Sequence, residues 1–304
     1  MSWVFLLIIA YFFVSLTALA DKFLLSKTLP HAIVYVFYIT LLSLASVFLA
    51  PLGFNIPNPF NLLISFVAGV SFTVGMYFLF TSLQRSEASR VFAAVGALGA
   101  SFTFIFSFWF LNERLGLYPF IGFALLVIGG IFVSIEYSVD KKLGETGFWF
   151  SLLTGIFFGV AYTATKHIYD DQGFISGFIW IRLFSFVGLL LFLFSKKDRG
   201  YLKHSLSRQA PIRQGINKYI LLGGQASSAV GFLILNYVIS LSSPAIVLAA
   251  QGLQYAFLFV VGLILTKWHP HIIEEKITWP VVLQKTFSII VICAGLAIIS
   301  FIGA

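Results

Sequence analysis

"FIGFALLVIGGIFV", residues 120–133, contains no charged side chain and no alternation of apolar with polar residues. A strand of a membrane barrel would alternate lipid-facing and lumen-facing residues. This run is apolar on every side, which suits a helix packed among lipid or other apolar helices. Comparable runs recur along the chain, and a helix needs about 20 such residues to cross roughly 30 Å of hydrocarbon. Of the 304 residues, 60% are hydrophobic, 18% aromatic and 10% charged, where a soluble domain carries about 25% charge. The expected class is an all-α polytopic membrane protein.

The apolar runs predict ten spans, at about 2–25, 31–50, 61–83, 90–110, 117–137, 147–168, 174–194, 218–241, 245–266 and 282–303. The first begins at Trp3 without a preceding Lys or Arg and is too long for a cleavable leader. Most connections are short. The longer ones are the basic stretch 195–218 and the stretch 267–280. The lone cysteine, Cys293, excludes an internal disulfide. The net charge of +8 would suit nucleic acid in a soluble protein; here it suits cytoplasmic loops beside anionic lipid, with no nucleic-acid partner.

Positive charge is lopsided. One face, A, carries both termini; the other, B, carries the loops after spans 1, 3, 5, 7 and 9. Face B collects most of the cations, including Lys22, Lys27, Arg85, the loop lysines and arginines of 195–218, and Lys285, whereas face A has Arg114 and Lys166. The positive-inside rule then places face B in the cytoplasm and both termini outside.

The chain also repeats. A shift of 156 lays Gly75 on Gly231, Ser86 on Ser242, Val91 on Val247 and Gly96 on Gly252. A shift of 144 lays Lys22 on Lys166, and Gly130 can be laid on Gly295. The halves are residues 1–137 and 147–304, five spans each. An odd span count makes the second half enter from the opposite face, so the repeats are inverted around a central cavity. Inverted repeats recur in secondary transporters.

The stretch "SEASRVFAAVGALGASFTFIFSFWFLNERLGLYPFIGFALLVIGGIFVS", residues 86–134, resembles the EamA module of the drug/metabolite transporter superfamily. It shows a small-residue helix, a glutamate-containing turn ("NERL", with Glu113) and a Gly-rich last helix. Residues 240–265 resemble a second copy, with the family's frequent proline at Pro244; the first copy has Ala88 there, and the second has "EEKI" in place of "NERL". Lys22 and Lys166 resemble a lysine at the end of each module's first helix. Arg182 resembles an arginine of the second helix, where the first copy has Tyr38. The resemblance implies a ten-helix exporter or exchanger of small metabolites, without a cofactor, in the cytoplasmic membrane. It also implies termini inside, against the charge count. The intramembrane glutamate of the small multidrug-resistance relatives is absent, with Val14 and Phe158 at its positions.

Arg182 stands out among the residues themselves. It lies eight residues into a span, roughly 12 Å deep at 1.5 Å per residue. A buried arginine is costly and faces a polar cavity or partner; it reads either as an anchor for a carboxylate or phosphate, or as a structural or snorkelling cation. Lys22 and Lys166 sit 19 residues beyond Trp3 and Gly147, either as one gating cation per mouth or as ordinary interfacial lysines. Gln251, Gln254 and Tyr255 are spaced i, i+3 and i+4, giving one polar helix face. With Asn236 they form a hydrogen-bonding wall or inter-helix glue. Tyr77, Trp180 and Gln225 are weaker cavity candidates. His269, His271 and Glu274 read better as solvated residues than as a metal site, and no catalytic constellation appears. The expected function is secondary transport of small organic metabolites, amino acids among them, in the lipid bilayer; the oligomeric state stays open and is compatible with a monomer. The alternatives are a non-transporting scaffold or lipid-handling protein and, behind them, an intramembrane enzyme.

Overall fold

A computed structural model describes residues 2–27, 31–85, 88–134, 145–192, 194–205, 215–268 and 279–301, all of them helical or connecting, with no strand among them. The elements are α1 (Ser2–Lys27), α2 (Ala32–Ser43) with its 3₁₀ continuation Leu44–Leu52, α3 (Pro59–Arg85), α4 (Ala88–Phe110), α5 (Leu117–Ser134) and α6 (Glu145–Gln172). They continue as α7 (Phe174–Phe192), α8 (Lys196–Ser205), α9 (Gly215–Leu241), α10 (Pro244–Ala249), α11 (Gly252–Trp268) and α12 (Trp279–Phe301). Among the described residues, seven helical stretches are long and apolar enough to cross a membrane: Ala32–Leu52, Pro59–Arg85, Thr146–Gln172, Phe174–Phe192, Leu222–Leu241, Pro244–Val261 and Val282–Phe301. Three shorter apolar segments, Trp3–Ala18, Ala94–Phe110 and Leu117–Val133, lie within α1, α4 and α5.

Several boundaries depart from the sequence reading, each for a local reason. The second apolar run is α-helical only to Ser43, then tightens into a 3₁₀ segment containing Pro51 and stops at Gly53, whose φ of 137° suits glycine. The sixth helix continues to Gln172, so Lys166 lies six residues before its end. The first helix runs on to Lys27, so Lys22 lies inside it. The ninth apolar run is broken. Ser243 caps α10, accepting from the Ile246 N–H at 3.5 Å, with Pro244 in the first turn. At Ala250–Gln251 the backbone bonds shorten to i−3, with Gln251 N to Leu248 O and Gln254 N to Gln251 O both at 3.0 Å. The break lies where α11 meets α5: a Cβ at Gly252 would stand 2.9 Å from Cα of Gly130. Finally, the basic stretch after α7 holds the helix α8, and Lys285 belongs to the interior of α12 rather than to a loop.

Helix pairing follows the small residues. α3 packs along α6 and α7, α1 along α9, α4 along α6, and α5 along α12. At the α3–α6 crossing a Cβ on Gly75 would press on Phe158 at 2.7 Å and on Cβ of Phe157 at 3.4 Å. At the α1–α9 crossing a Cβ on Gly231 would meet Phe13 and Val14 at 3.0 Å. Between α3 and α7 the approach is closer still: a Cβ on Gly69 would lie 2.5 Å from Ile181 O and 2.6 Å from Ser185 N. Glycine is therefore required there for backbone-to-backbone contact. Thr73 Oγ1 seals that seam by donating to Ser185 O at 2.7 Å. The main core gathers Leu7, Tyr11, Phe72, Tyr162, Phe178, Val238 and Tyr255 from six helices.

Candidate functional site

Arg182 lies at the centre of this packing, 6% exposed on α7. Its guanidinium carbon lies 4.9 Å from the Phe72 ring centre and 5.0 Å from those of Phe178 and Phe232. Three helices thus place aromatic faces around one cation: α3, α7 and α9. Each such contact contributes roughly 0.5–2 kcal/mol, and guanidinium is the cation best suited to stacking. No carboxylate or carbonyl pairs with Arg182 among the described residues. Five N–H donors in a planar fork are therefore directed by aromatic walls rather than consumed by an ion pair.

Tyrosines extend the lining. Tyr162 and Tyr169, both on α6 and both buried, are electrostatic neighbours of Arg182. Tyr169 donates its hydroxyl to Asn236 Oδ1 at 2.9 Å, and Asn236 Nδ2 donates to Phe232 O at 2.8 Å. One bond network thus runs from α6 to the backbone of the helix that carries the caging Phe232. Between Tyr162 and Tyr169 on α6, Lys166 Nζ donates to Ser240 O at 3.1 Å and pairs with Asp170 at 2.9 Å. Phe174 meets Tyr237 edge-on at 5.3 Å. The end of α6 and the start of α7 are therefore closed against α9 by three contacts, Tyr169–Asn236 and Lys166–Ser240 from α6 and Phe174–Tyr237 from α7.

The broken helix supplies a second region. Tyr11 donates to Val247 O at 2.6 Å, using a carbonyl near the break, and Tyr255 donates to Phe92 O at 3.2 Å. Gln251 and Tyr255 line a crevice between α4, α5 and α11 with Gly96, Gly130 and Gly252; it has room for roughly one water. Gln254 is buried but does not line that crevice, because the turn at Ala250–Gln251 removes the regular i, i+3, i+4 relation.

The remaining expected residues lie elsewhere. Trp180 faces the connection before α3: its Nε1 donates to Asn55 O at 2.9 Å and its ring stacks on Phe54 and Phe184. Tyr77 stacks on Phe192 at 4.3 Å, in a separate cluster with α2 and α8. Gln225 is half-buried on α9, where the adjacent Gly224 carbonyl accepts from Thr17 of α1. The structure thus brings Arg182 near Asn236 and, through α6, Lys166. It does not bring Tyr77, Trp180 or Gln225 to that group. The Lys22 side chain lies outside the described residues, as do His269, His271 and Glu274. Sequence reading missed Phe72, Tyr162, Tyr169, Phe178 and Phe232. Phe178 lies one turn before Arg182, which is a usable signal; the others come from distant helices.

The fold and its apolar helices define an integral membrane protein of helical type. Residues 1–135 match the model of the EamA-like transporter family, which carries the resemblance to the drug/metabolite transporter superfamily over that stretch. A solved structure described only as "Crystal structure of protein" shares the fold, with a TM-score of 0.66 and 12% sequence identity, over 99% of this chain and 97% of its own. No curated protein matches the chain.

Proposed function

We propose that the protein is a secondary transporter of small organic metabolites, amino acids among them, that works by alternating access in the cytoplasmic membrane. The observation that carries this reading is Arg182: a cation buried in the middle of an apolar helix, caged by aromatic faces, with no protein counter-ion among the described residues. A charge in that setting costs several kcal/mol, and a carboxylate-bearing ligand would offset the cost with a bidentate pair. Tyr162, Tyr169 and Asn236 supply neutral hydrogen-bonding groups beside it. The EamA-like match over residues 1–135 supports transport as the class of activity.

Ten crossing helices in two inverted halves fit this reading. Two crossings obey the sequence shifts at once. Gly75 with Phe157 and Phe158 corresponds to Gly231 with Phe13 and Val14, since 231 − 75 is 156 and both 157 − 13 and 158 − 14 are 144. Other crossings differ between the halves. Gly155 packs against Leu98 and Gly99 between α4 and α6, whereas the corresponding positions in α1 and α11 are Tyr11, Gln254 and Tyr255. Likewise α3 lies backbone to backbone on α7, while α2 meets α9 only slightly. Unequal packing of equivalent interfaces is what a two-state carrier caught on one side of its cycle would show. The seam of Lys166, Tyr169, Phe174, Asn236, Tyr237 and Ser240 is the closed gate, on the face carrying the termini, which the charge distribution puts outside. Lys22 occupies the equivalent place for the opposite gate.

The test is flux of labelled monocarboxylates and amino acids into proteoliposomes by wild type and Arg182→Gln. Hydrogen bonds to a charged group contribute about 1.5–3 kcal/mol, so apparent affinity should fall roughly 10–100-fold. Absence of flux above protein-free vesicles across such a panel would refute the proposal.

A further inference from the structure

We propose that α8 is a docking surface for anionic phospholipid headgroups, lying along the bilayer surface beside the end of α7 and bracing α2. The helix begins only a few residues after α7 leaves its apolar run at Phe192, so it starts at the level of the headgroups. Its two sides differ sharply. Leu202 and Ser205 are buried, and Asp198 and Tyr201 are half-buried. Lys196, Arg199, Gly200 and Lys203 are exposed. At about 100° per residue, the exposed set occupies one arc of roughly 100° and the buried set the opposite one.

The buried arc is fastened to α2 and the segment before it. Leu202 packs in a cluster with Ala32, Tyr35 and Val36, Tyr201 stacks on His31 at 3.5 Å, and Ser205 O accepts from Tyr38 Oη at 3.3 Å. The basic arc therefore cannot turn inward to find partners. No carboxylate pairs with Lys196, Arg199 or Lys203 among the described residues. Phe194, 84% exposed between α7 and α8, supplies an apolar ring of the kind that surface-lying helices bury at the headgroup and acyl boundary. A fixed row of cations is complementary to lipid phosphates presented in a plane.

The bound lipid is read directly, so the result stands apart from whether the protein transports anything. The protein is placed in nanodiscs of phosphatidylcholine with a minority of phosphatidylglycerol, then released into mild detergent, and retained lipids are counted by native mass spectrometry. Each cation near an anionic surface favours binding by about fivefold. The wild type should retain phosphatidylglycerol selectively, and K196Q/R199Q/K203Q should lose about tenfold or more of that selectivity with unchanged melting temperature. K196R/K203R should keep it. Equal retention by wild type and the triple Gln variant would overturn the proposal, and so would displacement of the lipid by RNA at matched charge.

Discussion

At position 182 an arginine stands in a helix turn that is apolar but for Ser185, and the fold answers it with three phenylalanines instead of an acid. Replacing a buried ion pair by apolar residues of similar volume is often neutral or stabilising by about 1–4 kcal/mol, and Arg182 has no such pair to lose among the described residues. Arg182→Leu should therefore hold or raise the melting temperature in detergent while abolishing flux. A large loss of melting temperature would instead assign Arg182 to structure. Tyr169→Phe removes one hydrogen bond, contributing about 0.5–1.5 kcal/mol, and keeps the ring. It should shift the seam towards opening and change apparent substrate affinity severalfold without altering expression. Arg182 was legible in sequence because a charge in an apolar run has no cheap explanation. Its cage was not: Phe72 and Phe232 are two among 36 phenylalanines, and nothing local marks which of them face inward.

Among the helices, glycine positions decide how closely pairs approach. Gly69→Ala would place a methyl 2.5 Å from the Ile181 carbonyl, forcing α3 and α7 apart. Overpacking of this kind costs about 1–3 kcal/mol, visible as a lower melting temperature. Gly223→Ala on α9 has open space around it and should be neutral or slightly stabilising, as for exposed helical glycine. Helix existence was legible from unbroken apolar runs such as 120–133. The break at Ala250–Gln251 was not, because "LAAQGLQY" is compatible with continuous helix. The interruption comes from the approach of Gly252 to Gly130 and from Tyr11 taking the Val247 carbonyl, both tertiary events. For the same reason Gln251, Gln254 and Tyr255 do not form the single polar face that their spacing suggests.

Over the whole molecule, the two shifts of 144 and 156 read in the sequence predict which crossings should look alike. The Gly75 and Gly231 crossings do. Where equivalent contacts differ, a two-state carrier must move: the seam of α6 and α7 with α9 must open for the opposite mouth to close. That requirement can be met or refused in one experiment. Cysteines replace Phe174 and Tyr237, whose rings meet across the seam, in a Cys293→Ser background. Flux of a transported carboxylate is measured before cross-linking, after joining the pair with a short cleavable bis-thiol reagent, and after reduction. The account predicts active protein, then near-complete loss, then recovery. Undiminished flux through a fully cross-linked seam would contradict it.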